Sequence, residues 1–267
     1  MNFQVRSPLF DSESIDIPKE ISNLSKPFNG SVSSGRGDEY LIKNNIIDLL
    51  STEKSYSLAQ STNHWQVTAS VYEDLWRKRS LSLLTGDEFP IEEEQNLLTE
   101  WMSPMAGAKY LDVGCSTALY ARTLKKHCPE SFHVALDFSK VMLTEARLKA
   151  EADQTNILFI RADAREMPFF GKTFDGLMMG GTLNELTDEL KVLFECRRVL
   201  KQGGTFFMMH LVKANHWVAR LLQSSAELGG INFWTIEESN ELFQRAGFRV
   251  EDQFTKGIVC FTKLIAE

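Results

Sequence analysis

Apolar and polar positions change in a regular way along the second half of the chain. From about residue 104, short apolar runs alternate with longer stretches in which apolar residues recur at helical spacing. The runs predict strands at 109–113, 132–136, 157–160, 174–179 and 205–210, and a hairpin of 249–254 and 258–264. The helical stretches between and after them are 117–127, 139–152, 187–200, 214–228 and 235–246. This order predicts a mostly parallel α/β sheet that ends in an antiparallel hairpin.

The first hundred residues follow two other patterns. Residues 53–103 carry apolar side chains at helical spacing, among them Trp65, Trp76 and Trp101, and they predict helices. Residues 1–52 are rich in Ser, Asn, Gly and Pro, with short β-like pieces near 28–32 and 40–47. They predict a small β-rich appendage, with a partly disordered arm as the alternative. The chain is therefore divided into 1–52, 53–103 and 104–267.

Composition narrows the classes of partner. The chain of 267 residues has a formal net charge of −7 and no long Lys/Arg run, which argues against nucleic acid as a partner. Its four cysteines form no C-x-x-C pair, so no metal site is predicted, and their scatter suits a reducing compartment. No apolar run is long enough to span a membrane and the N-terminus has no secretory pattern. We expect a cytoplasmic protein with a small-molecule substrate; a peripheral membrane contact, and a monomer or homodimer, remain open.

One stretch, residues 110–118, points to a ligand. An apolar strand runs into the small residues Gly114, Cys115, Ser116 and Ala118, after which a helical pattern begins. Such a turn places backbone N–H groups and a helix N-terminus at the tip of a sheet, where nucleotide-like ligands bind. A plain strand-to-helix turn is the alternative.

Acidic residues follow three successive predicted strands. Asp112 lies in the first, Asp137 ends the second and Asp163 follows the third. A carboxylate at Asp137 can accept hydrogen bonds from both ribose hydroxyls, and Asp163 can accept one from the exocyclic amine of an adenine. Phe138 and Met142 can pack on the ring. Each acid alone could be a solvated strand end or a helix cap, but together they favour an adenosine ligand.

The glycine pattern separates two adenosine cofactors. A dinucleotide site needs G-x-G-x-x-G so that a pyrophosphate can approach the helix, and this stretch has only Gly114. Asp112 is poorly suited to a pyrophosphate and well suited to a cationic amino-acid group, directly or through water. S-Adenosylmethionine is therefore favoured over NAD.

The chain from about 104 to 267 resembles the class I S-adenosylmethionine-dependent methyltransferases, with the best match to the ubiquinone and menaquinone branch. The resemblance is carried by the runs at 111–115, 136–143, 162–169, 174–176 and 195–204. It implies a Rossmann-like, seven-stranded, mostly parallel sheet with a reversed last strand, and a lid formed by the helical segment before it. Residues 40–50 also resemble the end of a zinc-ribbon-like module that precedes some methyltransferases, here without its cysteines.

The resemblance also implies roles for residues. Asp137 would hold the ribose, Asp163 and Ala164 the adenine edge, and Asp112 and Gly114 the methionine end. The full set of candidate cofactor residues is Asp112, Gly114, Cys115, Ser116, Asp137, Phe138, Met142, Asp163 and Ala164. Relatives usually carry glycine where this chain has Ser116 and Ala118, and Ala118 could crowd the ligand if its position needs a positive φ.

Catalytic candidates are few, because a sulfonium methyl is already activated and a base is needed only if the acceptor loses a proton. They are Glu185, His210 and, from the lid, Tyr72. Glu185 could equally be a helix-capping acid, and a histidine is more often a core or surface residue. We expect methyl transfer to a small, apolar acceptor such as a quinone, phenol or other specialised metabolite. The alternatives are an inactive relative that serves as a scaffold or partner protein, and a protein that uses the cofactor for other chemistry.

Overall fold

Twelve strands and six helices make up the part of the chain that the computed structural model describes, residues 3–9, 12–50, 90–215 and 217–267. The strands are β1 Phe3–Arg6, β2 Ser14–Ile17, β3 Gly30–Ser33, β4 Glu39–Lys43, β5 Ile46–Asp48, β6 Lys109–Val113, β7 Phe132–Asp137, β8 Leu158–Arg161, β9 Phe174–Gly180, β10 Leu200–Leu211, β11 Phe248–Lys256 and β12 Val259–Ala266. The helices are α1 Ile91–Met102, α2 Leu119–His127, α3 Lys140–Ala152, α4 Glu189–Val199, α5 Trp217–Leu228 and α6 Ile236–Arg245. Short 3₁₀ turns cover Lys19–Ser22, Ala164–Glu166 and Thr182–Glu185.

Ten of these strands form one sheet in the order β11-β12-β10-β9-β6-β7-β8-β5-β4-β3. Its seven strands from β6 to β12 have the predicted arrangement, with β6 to β10 parallel and β12 antiparallel between β10 and β11. The predicted Rossmann-like fold and the C-terminal hairpin are therefore confirmed.

The N-terminal segment extends this sheet instead of forming a separate appendage. Strand β5 pairs in parallel with β8, with Ile46 opposite Phe159 and Asp48 opposite Arg161, and β4 and β3 follow in antiparallel order. The segment is β-rich, as expected, but the sheet has ten strands because β8 offers an edge whose backbone groups need partners. The carboxyl end of β5 consequently lies at the same edge of the sheet as those of β6 to β10.

Two apolar layers cover the two faces of the sheet. Helices α1, α2 and α3 pack on one face, and α4, α6 and the β1–β2 hairpin pack on the other. The strands from β6 to β9 are covered on both sides. Their sequences are therefore nearly continuous apolar runs, as a buried parallel sheet requires.

The β1–β2 hairpin covers a part of the sheet that has no crossover helix. The connection from β8 to β9 contains only the turn Ala164–Glu166. The ring of Phe3 lies 5.0 Å from that of Phe132 and 6.3 Å from that of Phe174, and the backbone N–H of Arg6 donates to Pro168 O. The first strands of the chain thus supply apolar cover for the parallel sheet.

Two helices begin at residues whose side chains cap them. The Oγ of Ser139 accepts from Met142 N at the start of α3, and Thr235 and Glu238 form a capping box at the start of α6. Within the predicted helical segment 53–103, helix α1 is present, and residues 51–89 lie outside the described residues. Among the described helices, none has the length and apolar character needed to cross a membrane.

Candidate functional site

A cleft opens at the carboxyl edge of the parallel strands, where the loops after β5, β6, β7, β8 and β9 meet. Ligands of open α/β sheets bind at this edge. The cleft brings together eight of the residues predicted from the sequence: Gly114, Ser116, Asp137, Phe138, Met142, Asp163, Ala164 and Glu185.

The loop after β6 has an unusual backbone. Gly114, Ser116 and Ala118 all have positive φ, at 63°, 49° and 56°. Gly114 is required by space as well, because an added Cβ would lie 2.4 Å from Oγ1 of Thr182. The Thr182 hydroxyl donates to Gly114 O at 3.0 Å and joins this loop to the one after β9. The tight loop therefore depends on a glycine and a threonine from two different strands.

Ala118 has the positive φ that the sequence analysis identified as the condition for crowding. Its side chain is fully buried in the layer under α2, and the residue does not line the cleft. The methyl group is accordingly directed into the core, and it leaves the ligand space open.

Asp137 is held by backbone donors. Its carboxylate accepts from Ser116 N at 2.9 Å and from Ser139 N at 2.8 Å, which fixes the acid between the loop after β6 and the start of α3. A carboxylate can accept about four hydrogen bonds, so these two are compatible with further donors from a ribose. The chemistry and position of the acid fit the sugar of an adenosine ligand.

Asp163 is held by a side chain. Its oxygens receive Arg165 Nε at 3.0 Å and Arg165 Nη2 at 2.9 Å, and Oδ1 also accepts from Arg165 N. The hydrogen bonds that Arg165 donates to Asp163 raise the pKa of Arg165, so its guanidinium stays charged at neutral pH. Both residues line the cleft. A carboxylate that is part of an ion pair can still accept from an amine in its plane.

Apolar groups line the space between the two acids. Phe138, Met142 and Ala164 are the predicted ones, and Leu50 from the N-terminal segment joins them. Gly180 and Gly181, at the end of β9, also line the cleft and contribute no side chain to it. An added Cβ on Gly180 would lie 2.7 Å from the Tyr120 ring, so this strand end tolerates only glycine. The two acids, the apolar side chains and the glycines together fit an adenosine that carries a small cationic group.

Glu185 also lines the cleft, at the end of the turn Thr182–Glu185. In the structure, Glu185 does not cap the helix that follows it. Helix α4 is capped by Asp188, whose carboxylate accepts from Lys191 N. Glu185 therefore presents a carboxylate to the cleft without serving as a helix cap.

The remaining candidates are not brought to the cleft. Asp112 is buried on the α2 face of the sheet, where Oδ2 accepts from Ala121 N. Cys115 is buried, and burial together with the charges of Asp137 and Asp112 raises the pKa of its thiol, which stays protonated. His210 lies on the opposite side of the sheet, fully buried with its ring 5.6 Å from that of Phe243 in α6. Burial lowers the pKa of His210 to about 4. Tyr72 lies outside the described residues.

Nine of the 17 lining residues were not among the candidates predicted from the sequence. Leu50, Arg165 and Thr182 are three of these nine, and they lie far apart in the sequence. Of these three, only Thr182 had a usable signal, because it directly follows two glycines at a predicted strand end. In the described ranges, no group of three His, Cys, Asp or Glu side chains is arranged to hold a metal ion.

Comparisons with known proteins agree with this geometry. Residues 111–208, from β6 into β10, match a family described as a methyltransferase domain. The chain is 26% identical over 237 residues to an uncharacterized chloroplastic methyltransferase of Arabidopsis thaliana, which covers 84% of this chain and 65% of that protein. It is 39% identical over 105 residues to the demethylmenaquinone methyltransferase of Listeria welshimeri, which covers 39% of this chain and 44% of that protein.

The fold has solved counterparts as well. An S-adenosylmethionine-dependent methyltransferase from Aquifex aeolicus matches with a TM-score of 0.53 and 22% identity, over 64% of this chain and 87% of that one. The chain spans less than two thirds of the length of the two sequence relatives. The matched segment contains Gly114, Asp137 and Asp163, the residues around which the cleft is built. Residues 111–208 therefore carry a methyltransferase domain, and the sheet around them has the fold of the Aquifex aeolicus enzyme.

Proposed function

We propose that this protein transfers a methyl group from S-adenosylmethionine to a small, apolar acceptor of the quinone or phenol class. The observation that carries the proposal is the cleft at the carboxyl edge of the sheet. Two acids, a glycine-dependent loop and an apolar wall meet there. The name of one relative, demethylmenaquinone methyltransferase, supports the quinone class. The net charge of −7 argues against a nucleic-acid acceptor.

The cofactor would be held along the line of the cleft. Asp137 would accept from the ribose, Asp163 with Ala164 would contact the adenine edge, and Phe138 and Met142 would pack on the ring. Gly114 and Ser116, with Thr182 behind them, would bound the methionine end. In this arrangement Asp112 would act only through α2, because its carboxylate is bonded to Ala121 N.

The bound cofactor supplies an activated methyl group, so the chain's main task is to align the acceptor with it. The apolar side chains around the cleft favour a ring with little charge and exclude water from its faces. A phenolic acceptor must lose a proton when its oxygen is methylated. Glu185 is the acid in the cleft that could take this proton, and it sits beside Gly180 and Gly181. A cytoplasmic site of action stays a prediction.

Calorimetry with S-adenosylhomocysteine and S-adenosylmethionine provides the first test, with Asp137→Ala as the control for the site. We expect micromolar binding by the wild type and a loss of at least about tenfold in the variant. Methyl-labelled cofactor is then offered with reduced naphthoquinones and simple phenols. We expect a product heavier by one methylene unit and one S-adenosylhomocysteine per product.

Other outcomes would separate the alternatives. No binding at millimolar ligand would overturn the proposal. Binding without methyl transfer to any acceptor would favour a scaffold protein. A changed acceptor with the cofactor recovered intact would favour other chemistry.

A further inference from the structure

One wall of the cleft is supplied by the N-terminal segment. Leu50 lines the cleft together with Phe138, and it lies two residues after the end of β5. This contact exists because β5 adds to the sheet in the parallel sense, which brings its carboxyl end to the ligand edge.

Asp48, the last residue of β5, holds Leu50 in place. Its Oδ1 accepts from Leu50 N at 3.3 Å, so the chain turns at this point around the carboxylate. Its Oδ2 receives Arg161 Nη1 at 2.9 Å across the β5–β8 junction. The backbone supports the same junction, because Leu49 N donates to Arg161 O at 2.9 Å.

Arg161 continues the connection to the next strand. Its Nε donates to Phe138 O at 2.9 Å, the residue that follows the ribose candidate Asp137. Strand β8 pairs with β7 at this level, with Arg161 opposite Asp137. One guanidinium therefore bonds to both segments that contribute the apolar lining residues Leu50 and Phe138.

We propose that the Asp48–Arg161 pair positions Leu50 and Phe138 against the two sides of the adenine ring of the cofactor. Asp48 and Arg161 are positioning residues, and Leu50 is the contact residue that the N-terminal segment contributes. The inference rests on the proposed function, because it requires an adenosine ligand in this cleft. It assigns the N-terminal segment a part in cofactor binding.

The geometry favours positioning over stability. Side chains of Arg161 and Asp48 are 18% and 32% exposed, and partly exposed ion pairs contribute little to the free energy of unfolding. The backbone bonds of β5 to β8 remain when the pair is removed. Ligand affinity is more sensitive, because a binding site must hold its walls within a fraction of an ångström.

The test measures the affinity of the full-length protein for two ligands, S-adenosylhomocysteine and 5′-methylthioadenosine. The second has the adenosine group but no amino-acid group. The variants are Asp48→Ala, Arg161→Gln, their double, Arg161→Lys and Leu50→Ala. Lys201→Gln is the matched control, because Lys201 forms a comparable ion pair with Asp175 outside the cleft. Leu41→Ala controls for Leu50, because Leu41 is 68% exposed on the adjacent strand β4.

We expect the two single variants of the pair and Leu50→Ala each to weaken both ligands by about five- to tenfold, and by equal factors. The Asp48→Ala/Arg161→Gln double should lose less than the product of the two single losses, because the two residues share one ion pair while each also has a contact of its own. Arg161→Lys should recover part of the loss. The Tm of the ligand-free variants should stay within about 2 °C of the wild type, and both controls should bind normally.

If the wild type binds both ligands, and Leu50→Ala and the pair variants all bind within twofold of it, this inference alone is overturned. Losses confined to S-adenosylhomocysteine would overturn it too, since the effect would then lie at the amino-acid end. If the pair variants fail to fold, Leu50→Ala against Leu41→Ala still decides whether the segment contacts the ligand. Absence of binding by the wild type would overturn the proposed function, and this inference with it.

Discussion

The two ends of the cleft, which the proposed function assigns to the methionine and the adenine parts of the cofactor, are built in different ways. At the methionine end, the loop after β6 takes its shape from backbone conformation, with Gly114 at positive φ and Thr182 directly behind it. At the adenine end, ion pairs between side chains set the shape, Asp163 with Arg165 and Asp48 with Arg161. A backbone-defined loop tolerates very little change, whereas ion-paired side chains can adjust. The same substitution should therefore cost more at the first end than at the second.

The largest effect is expected from Gly114→Ala. Gly114 already has a φ of +63°, and the added Cβ would lie 2.4 Å from Oγ1 of Thr182. We expect a loss of about 2–4 kcal/mol in the free energy of unfolding, measured by urea denaturation, because steric overlap adds to backbone strain. S-Adenosylhomocysteine affinity should fall in parallel.

Gly107→Ala separates the cost of backbone strain from the cost of steric overlap. Gly107 has a φ of +75° and nothing within 4 Å of an added Cβ. Its substitution should cost about 1 kcal/mol, the conformational part alone. Equal losses at the two glycines would mean that contact with Thr182 does not define the loop.

The two acids provide the second comparison. In Asp137→Asn, the new amide NH₂ must face a backbone N–H, from Ser116 or Ser139, which cannot move away. In Asp163→Asn, the conflicting donor belongs to the flexible side chain of Arg165. We expect S-adenosylhomocysteine affinity to fall about 10- to 100-fold in the first variant and about threefold in the second. A larger loss at Asp163 would reverse the comparison and indicate that the adenine amine dominates binding.

Lowering the pH should destabilise the sheet beneath both ends of the cleft, and this effect does not distinguish the two ends. Burial lowers the pKa of His133 to about 3, with a further contribution from Lys125, and burial lowers that of His210 to about 4. Below about pH 6.5 the unfolded chain binds protons that the folded protein does not, so stability falls with decreasing pH. At pH 5.5 each histidine should cost about 1 kcal/mol relative to pH 8, and His210→Phe should remove its share. An unchanged pH slope in that variant would contradict the assignment.

The smallest effect is expected from Ala118→Gly. Ala118 has a φ of 56° and points into the core, so glycine relieves strain without changing the cleft. We expect a gain of up to about 1 kcal/mol in stability, at unchanged affinity for S-adenosylhomocysteine. A tighter Kd in the variant would show that the methyl group does crowd the ligand.

These features differ in how far the sequence predicts them. Asp137, Phe138 and Asp163 could be predicted because each follows an apolar run, and parallel strand ends meet at one edge. His210 follows such a run too, but side chains alternate along a strand, and Phe206, Met208 and His210 share the face covered by α6. Because alternate residues of a strand share a face, the apolar Phe206 and Met208 would have placed His210 on the core side, away from the cleft.

Leu50 and Arg161 illustrate what the sequence did not reveal. Their proximity depends on the pairing of β5 with β8, which joins residues 113 positions apart. Strand pairing over such a distance leaves no local periodicity or spacing in the sequence. The β-rich character of residues 30–48 could therefore be predicted, while their place in the sheet could not.

The pairing of β5 with β8 also fixes an order of events during synthesis. Asp48 leaves the ribosome well before Arg161, its partner 113 residues later. At translation rates of about 5–20 residues per second, β5 remains without its neighbour for on the order of ten seconds. Strands β3, β4 and β5 can pair among themselves in this interval, but the edge that will join the sheet stays open. Strands β3 to β5 are thus made before the rest of the ten-stranded sheet but joined to it only when β8 is made, and the end of the cleft proposed to bind adenine is completed with them.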